Sequence, residues 1–390
     1  MENLGIYIHI PFCKKKCKYC DFISFSCCEQ YEENYIEALL TEIDKRDVSD
    51  KYVISTIYIG GGTPSLISSK NIKRILDKIY DKFRIDSYPE ITIEVNPGTA
   101  TKEKLEDYKN SGINRVSIGL QSTQNRLLEL IGRIHNFEDF LNTYNLAKEV
   151  GFENINVDLM LAIPTQTEDE LLESVQKVIN LNPNHISIYS LILEEGTELE
   201  NLVKTRQLEL IEENVERTMY WKTKELLEKN EYSHYEISNF AKDGKESKHN
   251  LACWNQEEYL GFGLAAHSYY QNKRFSNIDC LEQYMKNIYN LRKESYLIDL
   301  ENNKYEGLIE LYEIQDKASQ MKEFMMLGLR KIEGVKISDF ERKFKINPLF
   351  YFRFEISVLT DEDLIKVDLN NIKLTNKGLD FANLVFEKFI

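Results

Sequence analysis

An α/β fold built on a parallel sheet is predicted by three observations. Six short β-rich runs recur along the first half of the chain, the segments between them carry apolar residues at three- and four-residue spacing, and Asn or Gly follows several of those segments as a helix stop. Strands alternating with helices in this way form a doubly wound sheet or a full or partial barrel, and each architecture places function at the C-terminal ends of the strands.

The elements follow in order. LGIYIHI (4–10), YVISTIYI (52–59), EITIEVN (90–96), RVSIGLQ (115–121), NINVDLM (154–160) and HISIYSL (185–191) are the six strands. Among the intervening helices, NIKRILDKIYDKF (71–83) and EDELLESVQKVINL (168–181) show the helical period most clearly, and NSGIN (110–114) and VGFEN (150–154) supply stops. After about residue 200 the pattern changes to an amphipathic helix (209–230), a short strand YSHYEIS (232–238) and the Gly- and aromatic-rich stretch HNLACWNQEEYLGFGLAAHSYY (249–270). Beyond residue 300, short helices lead to a hairpin turning at Asn370-Asn371 and a last helix, a winged-helix-like outline. Two domains are expected, 1–290 and 291–390, with no low-complexity linker between them.

Composition bounds the function. At 42% hydrophobic and 29% charged residues the chain can bury an ordinary core. It shows neither a signal-peptide pattern nor an apolar run long enough to span a bilayer, so a cytoplasmic location is expected, with peripheral membrane contact left open. A net charge of −15 repels phosphate backbones, and residues 316–390 hold 13 Lys or Arg against 12 Asp or Glu, so the winged outline lacks a nucleic-acid binder's basic footprint. Seven cysteines, an odd number in a chain expected where thiols stay reduced, argue against a disulfide framework and for metal.

Three of them, Cys13, Cys17 and Cys20, form C-x3-C-x2-C just after the first strand. Covalent haem attachment requires C-x-x-C-H, but Asp21 follows Cys20. A structural zinc site needs a fourth ligand, for which Cys27, Cys28, His9 or a distant residue would have to serve. An iron-sulfur cluster on three thiolates leaves one iron open to a substrate, and spacing alone favours it over zinc. Lys14, Lys15, Lys16 and Lys18 between the cysteines could help hold them as thiolates, or belong to a solvated loop.

With Tyr7 before the cysteines and Tyr19 between the last two, this loop resembles the signature of the radical S-adenosylmethionine (SAM) superfamily. The resemblance implies a partial (β/α)6 barrel, a 4Fe-4S cluster on Cys13, Cys17 and Cys20, and SAM chelating the fourth iron. YIGGGTPS (58–65) ends the second strand; Ser65 breaks a Rossmann G-x-G-x-x-G and no P-loop GK[ST] is present, so a tight βα turn is the plainer alternative. Within the resemblance it is the glycine-rich strand end that holds the SAM amino group, through Gly62 and Thr63. Tyr7, Glu94 at the ribose, Gln121, Arg133 and Asp158 complete the implied SAM site. Arg133 is chemically suited to clamp a carboxylate with its planar fork.

Along its whole length the sequence resembles the oxygen-independent coproporphyrinogen III oxidases and their relatives, the HemW-like haem chaperones, including a C-terminal domain of the HemN type. The oxidases carry a further cysteine two positions after the third and an N-terminal extension. Here Phe22 stands at that position and six residues precede Tyr7, which points to the chaperone branch, with haem as cargo and recipient haem proteins as partners. HNLACW (249–254) resembles the chaperones' H-N-x-x-Y-W segment with Cys253 in place of tyrosine, so His249 and Cys253 are both candidate haem ligands. A hydrogen-bonded loop histidine is the plainer reading of His249, and a positioned core residue that of His267. Neither the recipient nor an oligomeric state is named by the sequence.

Overall fold

The computed structural model describes residues 1–26, 29–292, 298 and 307–390. Cys27 and Cys28, weighed above as metal ligands, lie outside the described residues.

The six predicted strands all form: β1 (Glu2–Ile10), β2 (Tyr52–Gly61), β3 (Ile85–Val95), β4 (Arg115–Gln121), β5 (Asn154–Leu161) and β6 (His185–Ser190). They pair in parallel in that order, as in Ile6 with Ile57, Ile93 with Val116 and Val157 with Ile186. Parallel strands covered by helices on one side and enclosing an interior on the other need apolar residues on the covered face and tolerate polar ones inside. In β4 every residue is buried, with Val116, Ile118 and Leu120 in the main core and Arg115, Ser117 and Gln121 alternating with them.

Each strand is followed by a helix: α1 (Glu32–Lys45), α2 (Ser69–Lys82), α3 (Lys102–Asn110), α4 (Phe137–Val150), α5 (Glu168–Leu181) and α6 (Glu213–Lys229). Local sequence fixes their ends. Ser68 and Thr101 cap α2 and α3 through their hydroxyls, and reciprocal capping boxes open α4 (Asn136 with Asp139) and α5 (Thr167 with Glu170). Gly151, at φ 90°, and Asn182, at φ 60°, close α4 and α5 in the left-handed conformation.

Six further strands extend the sheet: β7 (Ser233–Glu236), β8 (Asn239–Ala241), β9 (Tyr259–Phe262), β10 (His267–Tyr270), β11 (Lys273–Asn277) and β12 (Ile309–Ile314). Among the described residues the order is β12-β11-β10-β9-β1-β2-β3-β4-β5-β6-β8-β7. The sheet thus curves as an open (β/α)6 barrel with antiparallel additions on both edges. β9 is an exception that the sequence did not announce: it runs parallel to β1, with Ile6 opposite Leu260. Its four residues are too few to show a period, and two glycines near it obscure a strand pattern.

A short helix, α7 (Lys248–Trp254), stands between β8 and β9 and carries the HNLACW segment. The C-terminal part has its own hydrophobic cluster, which includes Met321, Met325, Phe340, Phe344, Phe352, Ile372 and Val385. Its three-stranded antiparallel sheet joins Val335 to Ile372 and Ile365 to Leu374 beside the helices Lys317–Gly328, Ile337–Phe344 and Arg353–Asp361, the winged outline expected. The hairpin turn is built by Asp368, whose carboxylate accepts from the amides of Asn370 and Asn371. Helix Leu281–Leu291 and β12 pack with the main core, whereas the second cluster begins at Met321.

Candidate functional site

The cysteine loop leaves β1 at Pro11 and is closed at its base by a two-residue parallel ladder, Phe12 with Phe25 and Cys13 with Ser26. Phe12 is buried edge-on against Tyr35, which anchors the start of the loop in the core. Backbone bonds hold the rest: Lys18 N–H donates to Ile131 O at 3.0 Å, Leu199 N–H donates to Lys18 O at 2.8 Å, and Cys20 N–H donates to Cys17 O at 3.2 Å. His9 ties down the far end, its Nε2–H donating to Ile23 O at 2.8 Å.

Cys13, Cys17 and Cys20 are free thiols, each half-buried, and all three line one cavity of about 490 Å³ at the C-terminal ends of the strands. Burial pushes the Cys20 thiol up to about 11, and the nearby Lys16 offsets this only partly. The loop lysines are in part engaged elsewhere: Lys16 Nζ donates to Phe22 O and Lys18 pairs with Glu198 at 3.4 Å.

The donor set around the thiols fits a cluster. Arg133 Nη1 lies 3.6 Å from Cys17 Sγ and Thr63 Oγ1 3.5 Å from Cys13 Sγ, so two N–H or O–H donors face sulfurs that would carry negative charge. Gly62 runs so close behind Cys13 that a Cβ there would sit 3.0 Å from its sulfur and 2.9 Å from Phe12 O. Among the described residues no three His, Cys, Asp or Glu side chains converge on a single metal ion. The three cysteines line one cavity with room for a group larger than a single ion.

The strand ends complete the cavity. Glu94, from β3, accepts from Tyr58 OH at 2.9 Å and from Gly61 N–H at 3.2 Å. Burial pushes its carboxyl up to about 7. Gln121 ends β4 in the left-handed region at φ 72° and, with Gly119, lines the wall. Asp158, from β5, accepts from Asn156 Nδ2 at 2.7 Å and Ser117 Oγ at 3.1 Å; burial raises its pKa while these donors oppose the rise. Arg133 Nη2 donates to Gly119 O at 2.7 Å and to Asn96 Oδ1 at 3.1 Å.

The structure therefore brings Cys13, Cys17, Cys20, Gly62, Thr63, Glu94, Gln121, Arg133 and Asp158 to one cavity. Tyr7 is set back from it. Its hydroxyl donates to His9 Nδ1 at 3.0 Å, because His9 Nε2 carries the proton given to Ile23 O, and its ring stacks behind Tyr58 at 6.4 Å. Sequence reasoning missed Tyr58, Asn96, Arg115, Ser117, Asn156, Ser187 and Tyr189, all on the cavity wall. A usable signal existed. Ser117 and Arg115 precede Gln121 at even spacing, and Asn156 lies two residues before Asp158, so strand alternation puts them on the same face.

Helix α7 enters the barrel from below this cavity. Ser247 caps it through Asn250 N–H, and Glu90 accepts from the amides of Lys248 and His249 at 3.0 Å each. His249 is buried, its Nδ1 2.9 Å from Thr56 Oγ1 and its ring stacked on Tyr58 at 5.3 Å. Burial holds it neutral, down to about 4. Cys253, one turn on, is half-buried near Tyr259 and Arg274, and burial pushes its thiol up to about 11. Neither residue lines the cavity; Asn250, between them, does. Trp254 lies under the Arg330 guanidinium at 4.5 Å. His267, read from the sequence as a core residue, is exposed at the start of β10.

Residues 7–178 match the Radical SAM superfamily and residues 315–381 match the HemN C-terminal domain. The protein called heme chaperone HemW in Lactococcus lactis is 36% identical over 384 residues, covering 98% of this chain and 96% of the relative. The chain belongs to the HemW family of radical SAM proteins. A second HemW family member, from Bacillus subtilis, is 36% identical over 386 residues and covers 98% of each chain. The solved structure of Escherichia coli HemN, titled a coproporphyrinogen III oxidase and radical SAM enzyme, superposes with a TM-score of 0.82 at 22% identity, covering 100% of this chain and 90% of that one. At that identity it supports the HemN-like fold of this HemW family member.

Proposed function

We propose that this protein is a haem chaperone that holds a 4Fe-4S cluster and SAM, binds haem and delivers it to recipient haem proteins in the cytoplasm. The observation that carries the reading is Phe22: the position that holds a further cysteine in the oxidases has an apolar side chain, 59% exposed at the cavity mouth, which cannot ligate iron. The HemW names of full-length relatives support the same reading.

Cys13, Cys17 and Cys20 would ligate the cluster, which would supply a site for SAM and the reducing electron for its chemistry. This chain's residues do the positioning. Gly62 leaves room beside Cys13, Arg133 is held on the cavity wall by Gly119 O and Asn96 Oδ1 with its positive charge toward a carboxylate, and Glu94 and Asp158 offer acceptors to hydroxyls or an amine. Haem is assigned to the α7 side of the barrel, where Cys253 is the more accessible candidate and His249 Nδ1 is held by Thr56. The barrel unit with its edge strands and the HemN-type C-terminal unit meet within 290–315, a division supported by their separate hydrophobic clusters.

The deciding experiment pairs an anaerobic haem titration of the reconstituted protein with an assay on coproporphyrinogen III in the presence of SAM and reductant. Haem binding without conversion of the porphyrinogen is expected. Steady formation of protoporphyrinogen IX would overturn the reading in favour of the oxidase.

A further inference from the structure

A chain of hydrogen bonds, its central link buried, runs from Asp158 in the cavity to Ser247, the N-cap of the helix that carries His249 and Cys253. Asn156 Nδ2 donates to Asp158 Oδ1 at 2.7 Å and also to Ser117 Oγ at 2.7 Å. Asn156 Oδ1 is 2.6 Å from His185 Nδ1, and His185 Nε2 is 2.7 Å from Tyr235 OH. The Tyr235 oxygen accepts from Ser247 N–H at 3.2 Å, and Ser247 is the N-cap of α7. Asn156, His185 and Ser247 are buried and Tyr235 is partly so, which keeps water away from the Asn156–His185 link above all.

The direction of every bond is fixed from both ends. A carboxylate only accepts, so Asn156 must turn its NH2 to Asp158 and its oxygen to His185. Ser187 Oγ also donates to that oxygen, at 3.1 Å, which agrees with this orientation. His185 must then donate from Nδ1. Burial holds the imidazole neutral, so Nε2 accepts and Tyr235 OH donates to it, leaving the tyrosine oxygen to receive the Ser247 amide. No member can reverse without its neighbours reversing too, so a change at either end bears on the whole chain.

We propose that His185, with Asn156 and Tyr235, is a positioning element that couples the Asp158 side of the SAM cavity to the N-terminus of helix α7. Asn156 is on the cavity wall, and His185 and Tyr235 stand behind it, outside the lining. The three aim the Asp158 carboxylate into the cavity and fix the Ser247 cap, while Glu90 holds the next two amides of the same helix. Occupation of the cavity by a ligand that bonds Asp158 steadies α7, and by linkage a steadied α7 favours that ligand equally. This rests on the reading that the cavity holds SAM. It adds a route from SAM to the helix of the candidate haem ligands that needs no direct contact between the two molecules.

Two measurements test it on the reconstituted full chain. The first is the tautomer of His185, read by long-range proton-nitrogen NMR correlation: a proton on Nδ1 is expected, and a proton on Nε2 would overturn the relay whether or not SAM binds. The second is amide hydrogen exchange across residues 247–254 with and without SAM. In the unsubstituted protein SAM should slow that exchange about three- to tenfold, the size of one neutral hydrogen bond, and in Tyr235→Phe the slowing should vanish. His185→Asn places an amide N–H where Nδ1 stands, so it should keep SAM affinity within about twofold while losing the slowing, whereas His185→Phe should weaken SAM about tenfold. A merely structural histidine would move both readouts together. Persistence of the slowing in Tyr235→Phe overturns the proposal. Failure of the unsubstituted protein to bind SAM would instead defeat the reading beneath it, with the tautomer still deciding the relay.

Discussion

Arg133 reaches Cys17: its Nη1 lies 3.6 Å from the cysteine sulfur, while Nη2 of the same guanidinium donates to Gly119 O at 2.7 Å. One side chain therefore joins the cysteine loop to the end of β4. Its Nε is buried with no hydrogen-bond partner among the described residues. Arg133→Ala should keep the cluster but bind SAM at least tenfold more weakly, since losing one partner of a buried charged pair typically costs about 2 to 5 kcal/mol. Arg133→Lys should recover little of this, because an ammonium cannot present the fork. Calorimetric titration with SAM checks it, and unchanged affinity in Arg133→Ala would leave the residue only a loop-holding role.

Anaerobic reconstitution with iron and sulfide should give about four iron per chain, the content of a single 4Fe-4S cluster. Cys13→Ala, Cys17→Ala and Cys20→Ala should each abolish it, because two thiolates do not normally hold the group. Gly62→Ala should lower iron content as well, since its methyl would stand 2.9 Å from Phe12 O and 3.0 Å from Cys13 Sγ and displace that ligand. Full iron in any single-cysteine variant, or zinc bound in its place, counts against the assignment.

SAM affinity should depend on the ionisation of Glu94. Its carboxyl is pushed up to about 7 by burial, so below that pH it is largely protonated in the empty protein. A carboxylate that must accept from ribose hydroxyls binds better ionised, so affinity should rise as pH passes upward through about 7, and Glu94→Gln should flatten that rise. The stability sign is opposite. A raised carboxyl pKa contributes stability that is fully present below the unfolded value of about 4.5 and is lost as pH rises through about 7. Thermal melts of the ligand-free protein should therefore fall over this window, less so in Glu94→Gln.

Axial ligand identity sets the absorption spectrum of bound haem. His249→Ala and Cys253→Ala should change that spectrum differently, because the two side chains occupy separate environments on one helix. Thr56→Val, which frees His249 Nδ1, should alter haem binding if the imidazole is the ligand and leave it unchanged if the thiol is. Identical spectra in all three variants would place haem elsewhere.

Much of the site was legible in the chain because its parts are local. The cysteine spacing, the glycines of YIGGGTPS and the polar residues that end each β run are short-range patterns, and six strands alternating with helices place them at one end of a parallel sheet. Capping residues such as Asn136 and Thr167 mark helix starts in the same local way.

What only the tertiary structure decided depends on residues far apart in sequence. Tyr7 carries the right motif position, yet packing against Tyr58 and His9 sets it behind the wall. His249 and Cys253 look equivalent as neighbours on one turn, but Thr56, 193 residues away, takes the imidazole while Cys253 is half-buried near Tyr259 and Arg274. β9 slots beside β1 with only four residues, and Asn156, His185 and Tyr235 meet from β5, β6 and β7. Periodicity reports which face of an element a residue occupies; which partner it meets there is set by how the elements stack, and that is settled only when the chain is folded.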